Sequence, residues 1–234
     1  MSCLGKLFLT IINNRLSEYC LHNRILTPSQ LGFVQGNRTS DPHIILHNLQ
    51  QKYCHRANKR LYGCFVDFSK AFDNVPRDLL LDKLKIRGIN GNIFDIIQTI
   101  YLEDTVSIKI GKQHSPSFKT NKGVRQGCVL SPLLFNIFLA DLQPILDSCN
   151  GNVKISADSR ISCLLWADDI LILSESEAGL QEKLCALEKY CDANKLSVNT
   201  KKIECMIFNK TRRLLKHHKF IYKNSALECV REYK

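Results

Sequence analysis

The residues best suited to chemistry in this chain are two adjacent carboxylates, Asp168 and Asp169, set between apolar runs in Cys163-Leu-Leu-Trp-Ala-Asp-Asp-Ile-Leu-Ile-Leu173. The pattern predicts a strand, a tight turn and a second strand, with both acids at the turn. Neighbouring like charges repel, and apolar flanks limit how far water screens them, so the arrangement costs stability unless something offsets it. A hard divalent cation would. A third acid, Asp67, ends the apolar segment Leu61-Tyr-Gly-Cys-Phe-Val-Asp67, which reads as a short strand. Taken singly, strand-end acids are ordinary solvated caps. If the two strands are neighbours in one sheet, their carboxylates share an edge and can hold two Mg²⁺ ions about 3.5–4 Å apart, a device for in-line phosphoryl transfer. Side chains alternate along extended chain, so Asp168 and Asp169 are not equivalent ligands unless the turn twists. Asp168 is the expected stronger partner of Asp67.

The elements that must position these acids follow from the pattern on either side. Leu7, Phe8, Ile11, Ile12 and Leu16 predict an opening helix with one apolar face. A Thr-Pro-Ser turn at 27–29 precedes a helix over 43–53, and the strand 61–67 follows. Asn74 and Pro76 mark a helix start before Leu79, Leu80, Leu81 and Leu84, and another helix spans about 93–101. Alternation in Val106-Ser-Ile-Lys-Ile110, with Ser117 to Lys122, predicts a basic hairpin. From Ser131-Pro132 to Leu142 the chain is apolar nearly all round, hence a buried helix. Ser174 and Glu177 form a capping-box pattern for a helix ending near Ala193, and strands are expected over 196–199 and 203–208. The sum is an α+β layer of antiparallel sheet backed by helices.

Composition narrows the class. With 44% hydrophobic and 24% charged residues the chain is an ordinary globular one rather than a disordered one. No apolar run reaches the roughly 18 residues of a membrane span, and the first residues lack a signal-peptide order, so an intracellular, membrane-free protein is expected. The eleven cysteines are scattered singly without zinc spacing, which predicts buried reduced thiols. A net charge of +11 favours a polyanionic partner. The excess is concentrated: Lys109, Lys112, Lys119, Lys122 and Arg125 occur in one stretch with no acid, and eight basic residues lie from Lys210 to Lys234. Lacking repeats and linkers, the chain reads as one domain.

At this point several segments, in order along nearly the whole chain, resemble the reverse transcriptase domain of non-LTR (LINE-type) retrotransposons. Phe65-Val-Asp-Phe-Ser-Lys-Ala-Phe-Asp-Asn-Val75 is similar to the first palm motif of that family, and Gly123-Val-Arg-Gln-Gly-Cys-Val-Leu-Ser-Pro-Leu-Leu-Phe-Asn136 to the second. Trp166-Ala-Asp-Asp169 resembles the F/Y-A-D-D box, and Leu196-Ser-Val-Asn-Thr-Lys-Lys202 the motif after it. Leu26-Thr-Pro-Ser-Gln-Leu-Gly-Phe33, with Gly36 and Arg38, resembles a finger segment. The resemblance implies a right-hand polymerase palm over 61–208, partial fingers over 1–60, and a basic segment 209–234 with little or no thumb.

It also implies an RNA-directed DNA polymerase that adds deoxynucleotides to a DNA primer on an RNA template, using two Mg²⁺ ions, or Mn²⁺ in their place, in the nucleus or cytoplasm. Asp67 and Asp168 match the metal-ligating acids, Asp169 the second acid of the box, and the backbone carbonyl of Phe68 a further ligand. Phe72 matches the aromatic gate under the sugar. Arg125, Gln126 and Gly127 match the loop lining the nucleotide pocket. Lys202 matches a general acid or charge stabiliser for the departing pyrophosphate, with Lys201 beside it. Arg38, Lys119 and Lys122 are candidate nucleic-acid contacts. Trp166 stands where the family has Phe or Tyr, and Ile203 where it usually has Thr. The chain starts inside the fingers and stops soon after the last palm motif, so the alternative expectation is an inactive, decayed fragment that retains only nucleic-acid binding.

Overall fold

Asp67 and Asp169 sit on strands that the fold makes neighbours, and Asp168 lies in the turn that leads into the second of them. The computed structural model describes residues 2–211 and 218–233, and the basic residues Arg212, Arg213, Lys216 and Lys234 of the C-terminal segment lie outside them. The chain divides into two compact units, neither continuous in sequence: Met1–Ile25 with Lys70–Phe138, and Leu26–Ser69 with Leu139–Lys234. No tether joins them, which is why composition shows no boundary.

In the first unit, α1 (Cys3–His22) buries Leu9, Ile12, Leu16 and Cys20. Of the expected face Ile12 and Leu16 are buried, while Leu7, Phe8 and Ile11 are exposed. Two apolar stripes compete on this helix, and packing selected the one that continues to Cys20. The chain resumes with α3 (Ala71–Asn74), α4 (Arg77–Ile86) and α5 (Asn92–Leu102). Pro76 caps α4 from outside the first turn rather than occupying it. The basic hairpin is present as a ribbon of short pairs: β2 (Thr105–Val106) with β5 (Phe118–Lys119), and β3 (Lys109–Ile110) with β4 (Gln113–His114). The long apolar helix starts at Ser131 as expected, but it ends as α6 (Ser131–Leu139) and a separate α7 (Leu142–Asp147) follows. Pro144 explains the break, because its ring would clash with the carbonyl four residues earlier in a continuous helix.

The second unit holds α2 (Asp41–Gln50), which runs into a π-helical turn at Gln51–Arg56, then β1 (Leu61–Asp67). After α7 come a small hairpin of β6 (Val153–Lys154) and β7 (Arg160–Ile161), then β8 (Cys163–Trp166), β9 (Asp169–Ser174), α8 (Glu177–Ala193) and β10 (Glu204–Phe208). The last elements are β11 (Phe220–Tyr222) and β12 (Ser225–Val230). Six strands make one sheet in the order β11-β12-β10-β1-β9-β8. Every pairing is antiparallel except β10 with β12. Sequence patterning missed β11 and β12, because both are short and the basic residues around them make the segment read as a basic tail.

Leu61, Leu171, Leu173 and Phe208 on the sheet cluster with Leu49 and Tyr53 of α2 and the turn after it. Leu180, Leu184 and Leu187 bury the inner side of α8. Its cap is Ser176, whose hydroxyl accepts from the Gly179 amide at 3.1 Å, not Ser174. Ser174 ends β9 and instead hydrogen bonds Ser176. Residues 196–199 form no strand; one bridge, Phe68 to Val198, marks the place.

Candidate active site

Antiparallel pairing of β1 with β9 places Asp67 directly opposite Asp169, so their side chains emerge on one face at the end of the central strands. Trp166 pairs with Asp169 across the β8–β9 hairpin, leaving Ala167 and Asp168 as its two-residue turn. The first turn residue, Ala167, has φ of 57°. Positive φ at this position matches the twist of a two-stranded hairpin, but it is a place for glycine, and an alanine there is strained. The sequence ranked Asp168 above Asp169 as the partner of Asp67. In the structure Asp169 is the register partner, while Asp168 occupies the turn close enough to act on its neighbour.

The charges behave accordingly. Although Asp169 as a residue is exposed, partial desolvation raises the pKa of its carboxyl above the ordinary 3.8, the charges of Asp168 and then Asp67 add to the rise, and Lys202 opposes it. Lys202 places its ammonium 3.4 Å from both Asp67 oxygens while remaining 62% exposed itself. Asn199 completes the setting: its amide nitrogen Nδ2 donates to Asp67 Oδ2 at 3.3 Å, and its backbone N–H donates to the Asp67 carbonyl at 2.8 Å. With the Ser69 N–H bonded to the Ser197 carbonyl at 2.8 Å, the intervening Phe68 carbonyl is turned away from residues 197–199.

Among the described residues no three His, Cys, Asp or Glu side chains converge tightly enough to cage a metal unaided. The donor set suits Mg²⁺ in another way, since that ion takes one or two carboxylates and fills its shell with water and substrate phosphate. Crowded acids whose mutual repulsion raises a pKa are where such a cation is most welcome. Asp67 and Asp169, with Asp168 in the adjoining turn, offer carboxylates of that kind.

The turn is braced from behind. Ser29 accepts from the Leu165 amide at 2.9 Å, and the Leu31 and Gly32 amides donate to the Leu165 carbonyl at 2.9 and 3.3 Å. A Cβ on Gly32 would lie 2.5 Å from the Ala167 nitrogen. In the sequence Gly32 stands only within the segment that resembles the fingers, and its contact with the hairpin 135 residues away leaves no local signal. On the acid-bearing face of the sheet lies an apolar groove of about 490 Å³, bounded by Phe65, Trp166, Asp169, Leu171, Leu46 and Tyr233 among others. Tyr233 stacks on Phe65 with centroids 4.0 Å apart. Burial, then Asp169 and Asp67, raise its phenol pKa.

Arg38 is exposed in the second unit, its backbone N–H donating to Asp41 at 2.7 Å. The remaining expected residues belong to the first unit. Phe72 is half-buried, stacked on Phe135 at 4.8 Å. The Gly123 and Val124 amides donate to the Val75 and Phe72 carbonyls, both at 2.8 Å, so the loop that follows lies along α3. Gln126 donates to Asp73 at 2.8 Å. Gly127 is required by its φ of 77°, with open space where a Cβ would be. Lys119 and Lys122 are exposed.

Arg125, expected at a nucleotide, pairs with Asp104 at 2.6 Å. Asp104 also pairs at 2.6 Å with Arg77, which no motif in the sequence singles out. Arg77 reaches the carbonyls of Gly123, Tyr101 and Thr120 as well. Burial alone would raise the Asp104 carboxyl, but the bonds and charges of Arg125 and Arg77 outweigh it and hold the pKa below the ordinary value.

A central antiparallel hairpin bearing acids, set against a third acid on the adjacent strand, defines a polymerase palm of α+β class. The fold comparison agrees: a telomerase from Candida albicans, solved with a fragment of telomeric RNA, superimposes with a TM-score of 0.67 over 93% of this chain and 36% of that one, at 14% identity. Residues 1–223 match the family described as reverse transcriptase (RNA-dependent DNA polymerase). Similar proteins include a probable RNA-directed DNA polymerase from transposon BS of Drosophila melanogaster, 33% identical over 86% of this chain and 22% of that protein. The RNA-directed DNA polymerase from mobile element jockey of Drosophila funebris is 30% identical over 81% of this chain and 20% of that protein. The chain belongs to the reverse transcriptase family, among the domains of non-LTR retrotransposons. It spans about a fifth of the length of these curated relatives. Among the described residues no helix is long and apolar enough to cross a membrane.

Proposed function

We propose that this chain is the catalytic core of an RNA-directed DNA polymerase, adding deoxynucleotides to the 3′-hydroxyl of a DNA primer on an RNA template. The observation that carries the reading is the β1–β9 register, which sets Asp67 against Asp169 with Asp168 in the adjoining turn. Asp67, Asp168 and Asp169, with the Phe68 carbonyl, are the residues that would hold Mg²⁺. Two such ions, when bound, supply activation of the attacking hydroxyl and neutralisation of the leaving pyrophosphate.

The chain's own groups take the other roles. Asn199 and Lys202 hold the Asp67 carboxylate in place from one side. Lys202 also carries a proton on Nζ beside the acids, which suits a charge stabiliser or general acid for the departing pyrophosphate. Phe72, Gln126 and Gly127 are assigned to the incoming nucleotide by their match to the family motifs; Phe72, braced by Phe135, serves as the gate against a 2′-hydroxyl. Arg125 enters this reading with its guanidinium already paired to Asp104, as a residue that shapes the loop. Arg38, Lys119 and Lys122 are proposed contacts to nucleic-acid phosphates.

Primer extension on an RNA template with Mg²⁺, comparing the natural sequence with Asp168→Asn and Asp67→Asn, tests the reading. Extension is expected only from the natural sequence. Equal extension from all three, or from none, overturns it. A Phe72→Val variant should extend with deoxynucleotides and lose discrimination against ribonucleotides.

A further inference from the structure

Alternation along the central strands decides which side chains line the apolar groove. Phe65 and Asp67 share a face of β1, and the register sets Leu171 opposite Phe65 and Asp169 opposite Asp67. On β8, Leu164 stands opposite Leu171 and Trp166 opposite Asp169; on β10, Met206 stands opposite Gly63. Gly63 contributes no side chain to the middle of this face. A Cβ there would lie 3.0 Å from the Phe208 ring and 3.3 Å from Leu171, so the glycine lets both lie low. With Leu46 of α2 these residues line the groove of about 490 Å³, and its whole lining belongs to the second unit.

Size, shape and charge together say what it takes. The volume falls within the roughly 300–1,000 Å³ of small-molecule sites, whose usual chemistry is an apolar lining with few polar groups. The floor already seats one ring face-on, for Tyr233 lies on Phe65 at 6° with centroids 4.0 Å apart, and Trp166 lines the same groove. Its charge is the reverse of the chain's: among the described residues no lysine or arginine lines it, in a protein of net charge +11, and Asp169 is its one carboxylate. Lys202 sits on Asp67, and among the described residues Asp169 has no salt-bridge partner. A phosphate chain gains nothing from such a lining. A flat apolar ring that carries a positive charge is matched at both ends.

We propose that this groove is a binding site for a small planar aromatic cation, a few fused rings bearing one basic nitrogen, with the rings laid between Leu46 and the Phe65–Leu171 floor and the charge against Asp169. The inference goes beyond the polymerase reading and does not depend on it. Such an occupant covers Asp169, so in a chain that extends primers the site is inhibitory.

The test is calorimetric titration of the full chain, in chelator and without nucleic acid, with 9-aminoacridine, a cation at neutral pH, and with acridine, the uncharged parent ring. The cation should bind about five-fold more tightly, the worth of one partly solvated ion pair, and binding of either should quench Trp166, the one tryptophan of the chain. Asp169→Asn should remove the preference and leave acridine binding as it was. Leu46→Trp, which fills the groove, should weaken both ligands about ten-fold. Thr39→Arg, at the exposed rim and therefore safe for folding, should weaken the cation alone, about three-fold. Binding of neither ligand overturns the proposal, as do equal affinities for the two, a preference that survives Asp169→Asn, or acridine-9-carboxylate binding as tightly as the amine. Affinities unchanged in both Leu46→Trp and Thr39→Arg, at unchanged thermal midpoints, put the ligand elsewhere and overturn it too. No arm contains primer, template or metal, so a chain that binds the cation and never extends a primer sinks the polymerase reading and leaves this one standing.

Discussion

Two clusters of charge in this molecule answer the same electrostatic problem in opposite ways. At the root of the ribbon, Asp104 is shared by Arg77 and Arg125, and its pKa is depressed. At the end of the central strands three carboxylates crowd together with one exposed lysine between charge balance and repulsion, and the pKa of Asp169 is raised. The first cluster is neutralised by its own fold and has no chemistry left to do. The second is left in deficit of positive charge on a rigid frame. A carboxylate that a protein stabilises fully is structural; one that it holds against repulsion is available to a cation.

The largest effect should come from breaking the neutralised cluster. Asp104→Ala leaves the buried Arg77 facing no carboxylate and should cost about 3–5 kcal/mol in chemical denaturation; a loss below 1 kcal/mol would mean the clamp is ornamental. Next is the brace behind the acids. Gly32→Ala drives a methyl into the Ala167 backbone and should cost about 1–3 kcal/mol, with primer extension lost in excess of what the stability change explains. The reverse move at the same turn, Ala167→Gly, should stabilise by about 0.5–1 kcal/mol once the greater freedom of glycine in the unfolded chain is subtracted. A thermal midpoint that falls would show that the positive φ is not strained.

Smaller still, Asp169→Asn removes a repulsive charge and should hold or raise stability by up to about 0.5 kcal/mol while abolishing extension, the signature of a residue kept for function. The subtlest test is acid titration. Asp104 has a folded pKa below its unfolded 3.8, so its contribution is complete above 3.8 and is lost as pH falls through the depressed value. Asp169 has a folded pKa above 3.8, so its penalty is complete above that raised value and is gone once pH falls below 3.8. Subtracting the pH–stability curves of Asp104→Asn and Asp169→Asn from that of the natural sequence should give differences of opposite sign. Parallel differences would remove the contrast between the clusters.

The acid-bearing strands were legible because their signals are local. The apolar run Leu61–Val66 ending in an acid, and two apolar runs separated by Ala-Asp-Asp, specify their own conformations, and β1, β8 and β9 fall where the pattern put them. What went unread depends on partners distant in sequence. Which stripe of α1 is buried is decided by neighbours, since either stripe has helical spacing. The cap of α8 moved two residues because Ser174 was needed at the end of β9. Among site residues, the acids and Lys202 could be named, but the pairing of Asp67 with Asp169 is a matter of register, which one strand cannot disclose. Asn199, Gly32 and the Arg77–Asp104 clamp share that difficulty, being defined by contacts across 100 residues or more for Asn199 and Gly32, and by a loop closure for Arg77.

The central place of β1 also has a consequence for biosynthesis. Both of its neighbours come late: after Asp67 leaves the ribosome more than 100 residues must be added before Asp169 can pair with it, which at roughly 5–20 residues per second takes about 5–20 s. The first unit is complete in sequence at Phe138, within that interval. The nascent chain therefore carries one unit able to close while Leu-Tyr-Gly-Cys-Phe-Val waits with both edges unpaired, an invitation to intermolecular strand addition. Soluble yield should respond to translation speed and chaperone supply between codons 138 and 169 more than to any later stretch.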